Sequence, residues 1–336
     1  MTTYSEAGVN IEDGDACSRI AYEAAKATFA GRHGMIGAPA ILEGGFSGAL
    51  DMGDFFLVQN DDGVGSKSMI ASAIGKYDTL GLDLVAMVAD DAICVGAEVI
   101  SLSNTVDIQK VNAEQIEAMM AGLKAACLEQ KIVVPGGEIA ELPDQVNGFV
   151  WNSTAMGIVE KDKLIDGNKV KEGDLIIGLR SAGFRSNGFT LVRHILSKAY
   201  GKDWANEDYG DGRTWGEILL TPSVIYHRGL LKLLGAYGEA RPVDVHGLVH
   251  VTGGGIHGNA ERIVKGGLKA EFTDLWEAHE PMKKLMELGG VAEEEAYKTW
   301  NMGTGMLIVL AEADVDAAMA KLTDFEAKVV GKVVSE

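Results

Sequence analysis

The chain has 336 residues, more than one hydrophobic core usually supports, so two domains are expected. Hydrophobic residues make up 47% and charged residues 24%, which is typical of a globular protein. A net charge of −19 without a Lys/Arg cluster excludes nucleic acids and anionic membranes as partners. No apolar run reaches the ~20 residues of a membrane span, and the polar, acidic first ten residues do not resemble a signal peptide. We therefore expect a cytoplasmic protein.

The first half of the chain predicts short apolar strands separated by glycine-rich turns. Strands are expected over residues 54–59 and 132–134, the second ending at the turn Pro135-Gly136-Gly137. Residues 80–94 are mostly apolar, which predicts a buried helix. Asn112 with Gln115 three residues later predicts a helix N-cap, and apolar residues then recur at helical spacing.

The segment from 160 to 174 is charged and rich in turn residues, and it separates two apolar blocks. We place the domain boundary there, with residues 1–165 and 166–336 as the two domains. The second block predicts strands over 175–179, 306–310 and 328–334, and helices around 189–196 and 315–322. Strands and helices mix without strict alternation, which favours an α+β fold with mixed sheets over a doubly wound parallel sheet.

The segment Asp62-Gly63-Val64-Gly65-Ser66-Lys67 has the composition of a phosphate-binding loop. Its glycines allow an anion to approach backbone N–H groups, Lys67 could reach a phosphate, and Asp61 and Asp62 could hold Mg²⁺. The Walker A spacing is absent. A hairpin turn with a solvated lysine is the alternative interpretation.

Further carboxylates lie where they could converge on a cation. Asp90 and Asp91 stand in an apolar segment, where carboxylates are costly unless paired or metal-bound, and Glu138 follows a predicted strand. Mg²⁺ prefers a few carboxylates together with waters and substrate phosphates. The alternatives are that Asp90 caps a turn and that Glu138 pairs with a lysine.

Two other glycine-rich loops suit anions. One covers residues 44–48, and the other begins at Thr252 and leads into a helical segment with Arg262, which could make a bidentate contact. His246 and His250 flank the same region, and a structural role is the default for either histidine. The chain carries no HExxH or GxSxG motif of a protease or hydrolase.

Nine segments, taken together and in order, resemble the aminoimidazole ribonucleotide synthetases, also called phosphoribosylformylglycinamidine cyclo-ligases. The segments are YSEAGVNIEDG (4–14), GGFSGALDM (44–52), DGVGSK (62–67), DTLGLDLVAMVADD with VGAE (78–98), GGEIAELP (136–143), SNGFTLVR (186–193), LLTPSVIY (219–226), VHGLVHVTGGGIHGN (245–259) and NMGTGM (301–306). They occur in the family's order and are spread across nearly the whole chain.

The resemblance implies a homodimer of two-domain α+β subunits that binds ATP with Mg²⁺. The first domain would bind ATP and metal and carry the dimer contact. In the family reaction ATP phosphorylates the amide oxygen of formylglycinamidine ribonucleotide, an amidine nitrogen attacks the activated carbon, and phosphate leaves as the imidazole ring closes. Such catalysis consists mainly of positioning and charge neutralisation.

The resemblance also implies site residues. We predict Asp62, Asp91 and Glu138 as metal ligands, and catalytic roles for Lys67, Asp91, Arg185 and His250. The residues predicted to bind ATP are Gly44, Gly45, Phe46, Ser47, Gly63, Gly65, Ser66, Lys67, Asn187, Thr252, Gly253 and Gly254.

The chain departs from the family pattern at several positions. The family has Asn at the position of Asp90 and His at the position of Arg185, and a guanidinium cannot act as a base at neutral pH. Val95, Asn104 and Ile139 also differ. These replacements bear on the substrate rather than on ATP, so a relative that activates a different small substrate at the same ATP site is the alternative function. A nucleotide-binding subunit without turnover would lack the metal carboxylates, which are present here.

Overall fold

Two β-sheets with helices packed on them organise the chain, and a long buried helix lies between them. The computed structural model describes residues 11–40 and 45–336. The α+β fold class predicted from the sequence is confirmed, with mixed pairing in the first sheet and antiparallel pairing throughout the second. In the described part of the chain, no helix is both long and apolar enough to cross a membrane.

The first sheet is built from the N-terminal half. Within the described ranges its six strands are β1 (Ala38–Ala40), β2 (Gly48–Asp51), β3 (Phe55–Gly63), β4 (Glu98–Ile108), β5 (Val133–Glu141) and β6 (Phe149–Glu160). Their order across the sheet is β1-β2-β3-β6-β4-β5. The pair β4–β5 is parallel and the other neighbours are antiparallel.

The helices of this half are α1 (Ile11–Ala27), α2 (Lys67–Ile74), α3 (Leu80–Cys94) and α4 (Ala113–Gln130). The N-cap prediction at Asn112 is confirmed, because its Oδ1 accepts a hydrogen bond from the Gln115 N–H at 2.9 Å. The prediction of a buried helix over residues 80–94 is also confirmed. One side of α3 packs on β3, β6 and α4, and the other side contacts the C-terminal half.

The second sheet is built from the C-terminal half. Its described strands are β7 (Leu175–Arg180), β8 (Val245–His250), β9 (Leu268–Phe272), β10 (Thr304–Leu310) and β11 (Ala327–Ser335), in the order β8-β10-β7-β11-β9. Its helices are α5 (Phe189–Tyr200), α6 (Trp215–Leu219), α7 (His227–Leu234), α8 (Gly255–Ala260), α9 (Glu280–Gly289), α10 (Glu293–Thr299) and α11 (Val315–Lys321). The predicted strands at 175–179, 306–310 and 328–334 and both predicted helices are therefore present.

Two strands run further than predicted. The strand expected at 54–59 continues to Gly63, so Asp61 and Asp62 lie in β3 and the hairpin-turn interpretation is wrong. The strand expected to end at Pro135 continues to Glu141. It can do so because β5 is the edge strand, where the missing N–H of a proline costs no ladder hydrogen bond.

The two hydrophobic cores share α3. Leu84 and Val88 belong to the core under the first sheet, whereas Ile93 and Cys94 belong to the core of the second. The last strand of the first sheet ends at Glu160 and the first strand of the second begins at Leu175, and we propose the domain boundary between them. The site described below lies along this helix, where the two halves meet.

Candidate active site

Two buried carboxylates on α3 bind the backbone of the second domain. Asp83 and Asp90 stand seven residues apart and therefore on the same helix face. Asp83 Oδ1 accepts hydrogen bonds from the Ser223 N–H and hydroxyl at 2.9 and 2.5 Å. Asp90 Oδ1 accepts from the N–H groups of Tyr226 and His227 at 2.8 and 3.0 Å. The segment 223–227 is thereby fixed against the first domain.

Lys67 lies in this contact between the two domains rather than in an open loop. Its Nζ is 2.8 Å from Asp83 Oδ2 and donates to the Thr221 carbonyl at 2.8 Å, and both charged side chains are 0% exposed. Burial lowers the pKa of Lys67, and the charge of Asp83 opposes that change. The solvated-lysine alternative is wrong. In this structure the ammonium serves the contact between the domains and does not face a cleft where a phosphate would bind.

Four side chains form a continuous hydrogen-bond network that runs from the contact between the domains towards solvent. Arg185 donates from one terminal nitrogen to Asp90 Oδ2 at 2.7 Å and to His250 Nε2 at 2.8 Å. The other ring nitrogen of His250, Nδ1, lies 2.7 Å from Asp91 Oδ1. Asp90, Arg185 and His250 are buried, whereas Asp91 is 16% exposed. Three predicted site residues, Arg185, His250 and Asp91, are thus brought together.

Asp62 lies on β3 two residues after Asn60, whose Nδ2 donates to Asp91 Oδ2 at 3.4 Å. Burial raises the pKa of Asp62 to about 6; the Gly63 N–H works against the rise, whereas the neighbouring charge of Asp91 adds to it. Two partly buried carboxylates with mutual repulsion suit a divalent cation, which would neutralise both. The described residues hold no set of three or more His, Cys, Asp or Glu side chains arranged around one ion. A metal held by this pair would therefore need further ligands, such as phosphates and water.

Glu138 is not part of this arrangement. The sheet register aligns Gly63 of β3 with Asn152, Thr105 and then Glu138, three strand spacings away. Three spacings amount to about 14 Å between the backbones of β3 and β5. The register aligns Asp62 with Gly137 and not with Glu138, so the side chains of Asp62 and Glu138 point to opposite faces of the sheet. The Glu138 side chain instead accepts from the Ile139 N–H at 3.0 Å. The predicted triad of metal ligands thus reduces to Asp62 and Asp91 in this chain, because of the register.

A polar cavity of about 480 Å³ opens next to Asp62. It is lined by Asp61, Asp62, Gly63, Ser103, Thr105, Asn152, Ser153 and Thr154. Gly63 is required at its floor, since a Cβ there would lie 2.1 Å from Asn152 Oδ1 and 2.7 Å from the Trp151 carbonyl oxygen. The Ser153 hydroxyl is buried and has no hydrogen-bond partner within the described structure.

Two of the predicted phosphate loops lie next to the turn at Ser186 and Asn187. A Cβ on Gly65 would lie 3.6 Å from the Ser186 carbonyl oxygen, and one on Gly253 would lie 3.9 Å from Asn187 Nδ2. Within the described structure, the Ser186 hydroxyl and the Asn187 side-chain oxygen are buried without hydrogen-bond partners. Buried polar atoms are normally paired, so these atoms mark a place where a polar ligand would bind.

The loop that begins at Thr252 is held by a residue that sequence analysis did not single out. Asn259, which is 2% exposed, donates from Nδ2 to the carbonyls of Thr252, Gly253 and Gly255. Asn259 is the last residue of the sequence GGGIHGN. A side-chain amide four residues after a run of glycines could have indicated from sequence that Asn259 binds the loop. These contacts keep the loop carbonyls turned inward, and the Gly255 N–H also donates to the Thr252 carbonyl at 3.1 Å.

The glycine segment at 44–48 has a different environment. Gly44 lies outside the described residues. Phe46 is 6% exposed within the second core, and the Arg262 guanidinium stacks 3.7 Å from its ring centroid and donates to the Gly45 carbonyl at 2.7 Å. Phe46 and Gly45 therefore connect the two halves, and Arg262 contacts them here. Ser47 is buried, and its hydroxyl has no partner among the described atoms.

Known proteins match this chain over almost its full length. The families described as AIR synthase related protein, N-terminal and C-terminal domains, match residues 46–159 and 171–336. A phosphoribosylformylglycinamidine cyclo-ligase of Pyrococcus furiosus is 40% identical over 325 residues, which span 97% of this chain and 92% of the relative. The chain belongs to the phosphoribosylformylglycinamidine cyclo-ligase family. A second cyclo-ligase, from Pyrococcus horikoshii, is 38% identical over 100% of this chain and 96% of its own length.

Among solved structures, the hydrogenase maturation protein HypE in complex with ATP resembles this chain with a TM-score of 0.55. The match has 18% identity and covers 83% of this chain and 77% of that chain, and it shows a shared fold. Membership of the cyclo-ligase family confirms the enzyme class predicted from the motifs and the AIR-synthetase-like fold.

Proposed function

We propose that the protein closes the imidazole ring of formylglycinamidine ribonucleotide, with ATP as the phosphoryl donor, in purine biosynthesis. The observation that carries this proposal is the 40% identity over 97% of the chain to a cyclo-ligase. The turn at Ser186 and Asn187, which lies next to Gly65 and Gly253 and carries unpartnered polar atoms, supports a nucleotide site. The substrate amide oxygen attacks the γ-phosphorus and ADP leaves. An amidine nitrogen then attacks the phosphorylated carbon, loses a proton, and phosphate departs with the former amide oxygen.

Asp62 and Asp91 would hold Mg²⁺ with the nucleotide. When bound, the ion would neutralise charge on the phosphates and on both carboxylates. Backbone N–H groups of the loops at Gly65 and Gly253, with the Ser186 hydroxyl and the Asn187 Nδ2 amide group, would donate hydrogen bonds to the phosphate oxygens. These groups position the two substrates, which supplies most of the rate enhancement in phosphoryl transfer.

The buried histidine would act through Asp91. Both ring nitrogens of His250 are hydrogen-bonded and the ring is 0% exposed, so it does not reach a substrate in this arrangement. We propose that His250 orients the Asp91 carboxylate. Lys67 would hold the two domains at the correct separation through Asp83. The roles proposed for Lys67 and His250 are therefore positioning roles.

A homodimer in the cytoplasm is proposed. The outer face of the first sheet carries exposed apolar side chains on neighbouring strands: Ile100 is 40% exposed, Val150 45% and Met156 38%. Apolar side chains spread over a sheet face are typical of an interface between subunits. Light scattering should give twice the chain mass, and Val150→Glu with Met156→Glu should give the monomer. All three cysteines are free thiols, as expected in a reducing compartment.

The decisive assay contains the purified protein, formylglycinamidine ribonucleotide, ATP and Mg²⁺. We expect equal amounts of ADP and aminoimidazole ribonucleotide. ADP formation without an imidazole product would refute ring closure and favour the alternative of a different small substrate at the same ATP site. Omitting formylglycinamidine ribonucleotide is the control, and ADP formation should then stop.

A further inference from the structure

The hydrogen-bond network of Asp90, Arg185, His250 and Asp91 links a buried ion pair to the carboxylate proposed to bind metal. We propose that Arg185 is a positioning residue whose donation to His250 Nε2 decides which ring nitrogen carries hydrogen, and that this orients Asp91. The inference rests on the proposed function only for the role of Asp91. The hydrogen-bond arrangement itself stands independently of the reaction.

The chemistry of the guanidinium gives the direction of each hydrogen bond. Arginine has donors only, so at 2.8 Å from its terminal nitrogen His250 Nε2 must be the acceptor. The hydrogen of the ring then lies on Nδ1, which donates to Asp91 Oδ1 at 2.7 Å. A ring with hydrogen on Nε2 would meet the guanidinium hydrogens and present a lone pair to the Asp91 carboxylate. Arg185 thus excludes the tautomer that would leave Asp91 without a donor.

Arg185 is itself held in one orientation. One terminal nitrogen donates to Asp90 at 2.7 Å and the other to the Val224 carbonyl at 2.9 Å. The guanidinium carbon lies 5.0 Å from the centroid of the Tyr226 ring. Its backbone has φ +59°, a left-handed conformation that costs a non-glycine residue energy and so is kept by the surrounding contacts.

Asp90 supplies the counter-charge that the buried Arg185 guanidinium needs. With Asn at position 90, the buried guanidinium at 185 would lack a counter-charge, which is strongly unfavourable in a protein interior. Asp90 keeps both backbone contacts that its Oδ1 accepts, and its Oδ2 receives Arg185. Asp90 and Arg185 therefore act as one unit that holds His250 in a fixed state.

The test is a spectrum of the isotope-labelled histidine ring nitrogens at slightly alkaline pH, with the His250 signals assigned by their loss in His250→Gln. We expect wild-type His250 to carry its hydrogen on Nδ1. The double variant Asp90→Asn with Arg185→Met removes both charges together and keeps an acceptor for Tyr226 and His227. Hydrogen should then also be found on Nε2, because no donor opposes it there, whereas Arg185→Lys, which keeps a cationic donor, should retain the wild-type spectrum. A His250 hydrogen on Nε2 in the wild type would by itself overturn the proposal.

The control is Lys67→Met with Asp83→Asn, which removes a buried ion pair of the same kind that makes no contact with His250. Its His250 spectrum should match the wild type, and hydrogen on Nε2 there would show that the loss of any buried ion pair, and not of Arg185 in particular, changes the tautomer of His250. In the Asp90/Arg185 double variant we expect ADP formation to fall about 10- to 100-fold, as for other residues that orient a metal ligand. An unchanged rate with a changed spectrum would refute the link to Asp91. Failure of the wild type to make the imidazole product would refute the proposed reaction and leave the spectrum unaffected.

Discussion

The Lys67 ammonium lies 2.8 Å from the Asp83 carboxylate, with both side chains completely buried where the two domains meet. The same ammonium donates to the Thr221 carbonyl, and the same carboxylate receives Ser223. One ion pair therefore joins α2 and α3 of the first domain to the segment that leads into α7. Because the glycine loop before Lys67 borders the proposed nucleotide site, the pair also fixes the position of that loop.

Removing one partner of this pair should destabilise the protein strongly. Lys67→Met leaves Asp83 buried without a counter-charge, and we expect a loss of about 3–5 kcal/mol in the free energy of unfolding. The double variant with Asp83→Asn should recover most of that loss, because the side-chain oxygen of the introduced amide still accepts from Ser223. Urea unfolding of the wild type, both single variants and the double variant measures the coupling.

The control for this cycle is Lys298→Met, which breaks the exposed pair with Glu294 at 2.6 Å. Exposed pairs contribute little, so the unfolding midpoint should not move. Additive effects of Lys67→Met and Asp83→Asn would show that the buried contact does not couple the two residues.

Asp62→Asn should separate stability from activity. In the ligand-free protein the pKa of Asp62 is raised to about 6, above its ordinary 3.8, so keeping it ionised above pH 6 costs folding energy. That cost grows as the pH rises from about 4 to 6 and is then constant. Asparagine removes it, and we expect a gain of roughly 2–3 kcal/mol near pH 7.5. ADP formation should be abolished, because one of the two proposed metal ligands is lost.

The matched control is Asp54→Asn at the exposed start of the same strand region. It should leave both unfolding and ADP formation as in the wild type. If Asp62→Asn retained full turnover, the proposed metal role of Asp62 would be refuted, and a loss of stability would refute the account of its burial.

Regular elements were predictable where local pattern and burial agree. The apolar run at 80–94 forms a helix enclosed by both domains, and Asn112 caps the next helix as its spacing indicates. The extension of β5 through Pro135 was not predictable, since it depends on β5 being the edge of a sheet whose order is known only after folding. Local sequence does not indicate which strand will lie at the edge of the sheet.

The site was only partly predictable for a related reason. Asp62, Asp91 and His250 were singled out, and the fold brings them together, but Glu138 is displaced by the register of β4 and β5. The burial of Lys67 depends on Thr221, 154 residues away, which no local motif indicates. Asp83 could have been predicted from the sequence. A carboxylate seven residues before Asp90 in an apolar helix lies on the same helix face, which indicates a second buried carboxylate that needs a partner.

His227 should make the protein less stable in mild acid. Burial, with a smaller effect of Arg228, lowers the pKa of His227 from 6.5 to about 3, and its Nε2 accepts the Val99 N–H at 2.9 Å. The unfolded chain binds a proton below about pH 6.5 and the folded protein does not, so stability falls as the pH drops from 6.5 towards 3. At pH 5 this one group costs about 2 kcal/mol relative to pH 7.5.

The measurement compares urea unfolding at both pH values for the wild type and His227→Gln, whose side-chain oxygen can still accept from Val99. The variant should lose about 2 kcal/mol less than the wild type between pH 7.5 and 5. Equal losses in the two proteins would contradict the assignment of the acid sensitivity to this ring.

Gly255 and Gly258 offer a matched pair within α8, behind the loop proposed to bind phosphate. Gly255 has φ +69°, and a Cβ there would lie 1.6 Å from the Tyr297 carbonyl oxygen, whereas a Cβ on Gly258 would meet nothing within 4 Å. Gly255→Ala should cost at least about 1–2 kcal/mol from the left-handed backbone alone, and the clash should shift the loop and raise the KM for ATP. Gly258→Ala should be neutral or stabilise by up to about 1 kcal/mol. Thermal unfolding and ATP titrations of both variants measure these effects. Equal stability and equal KM values in the two variants would show that the loop does not depend on this close contact.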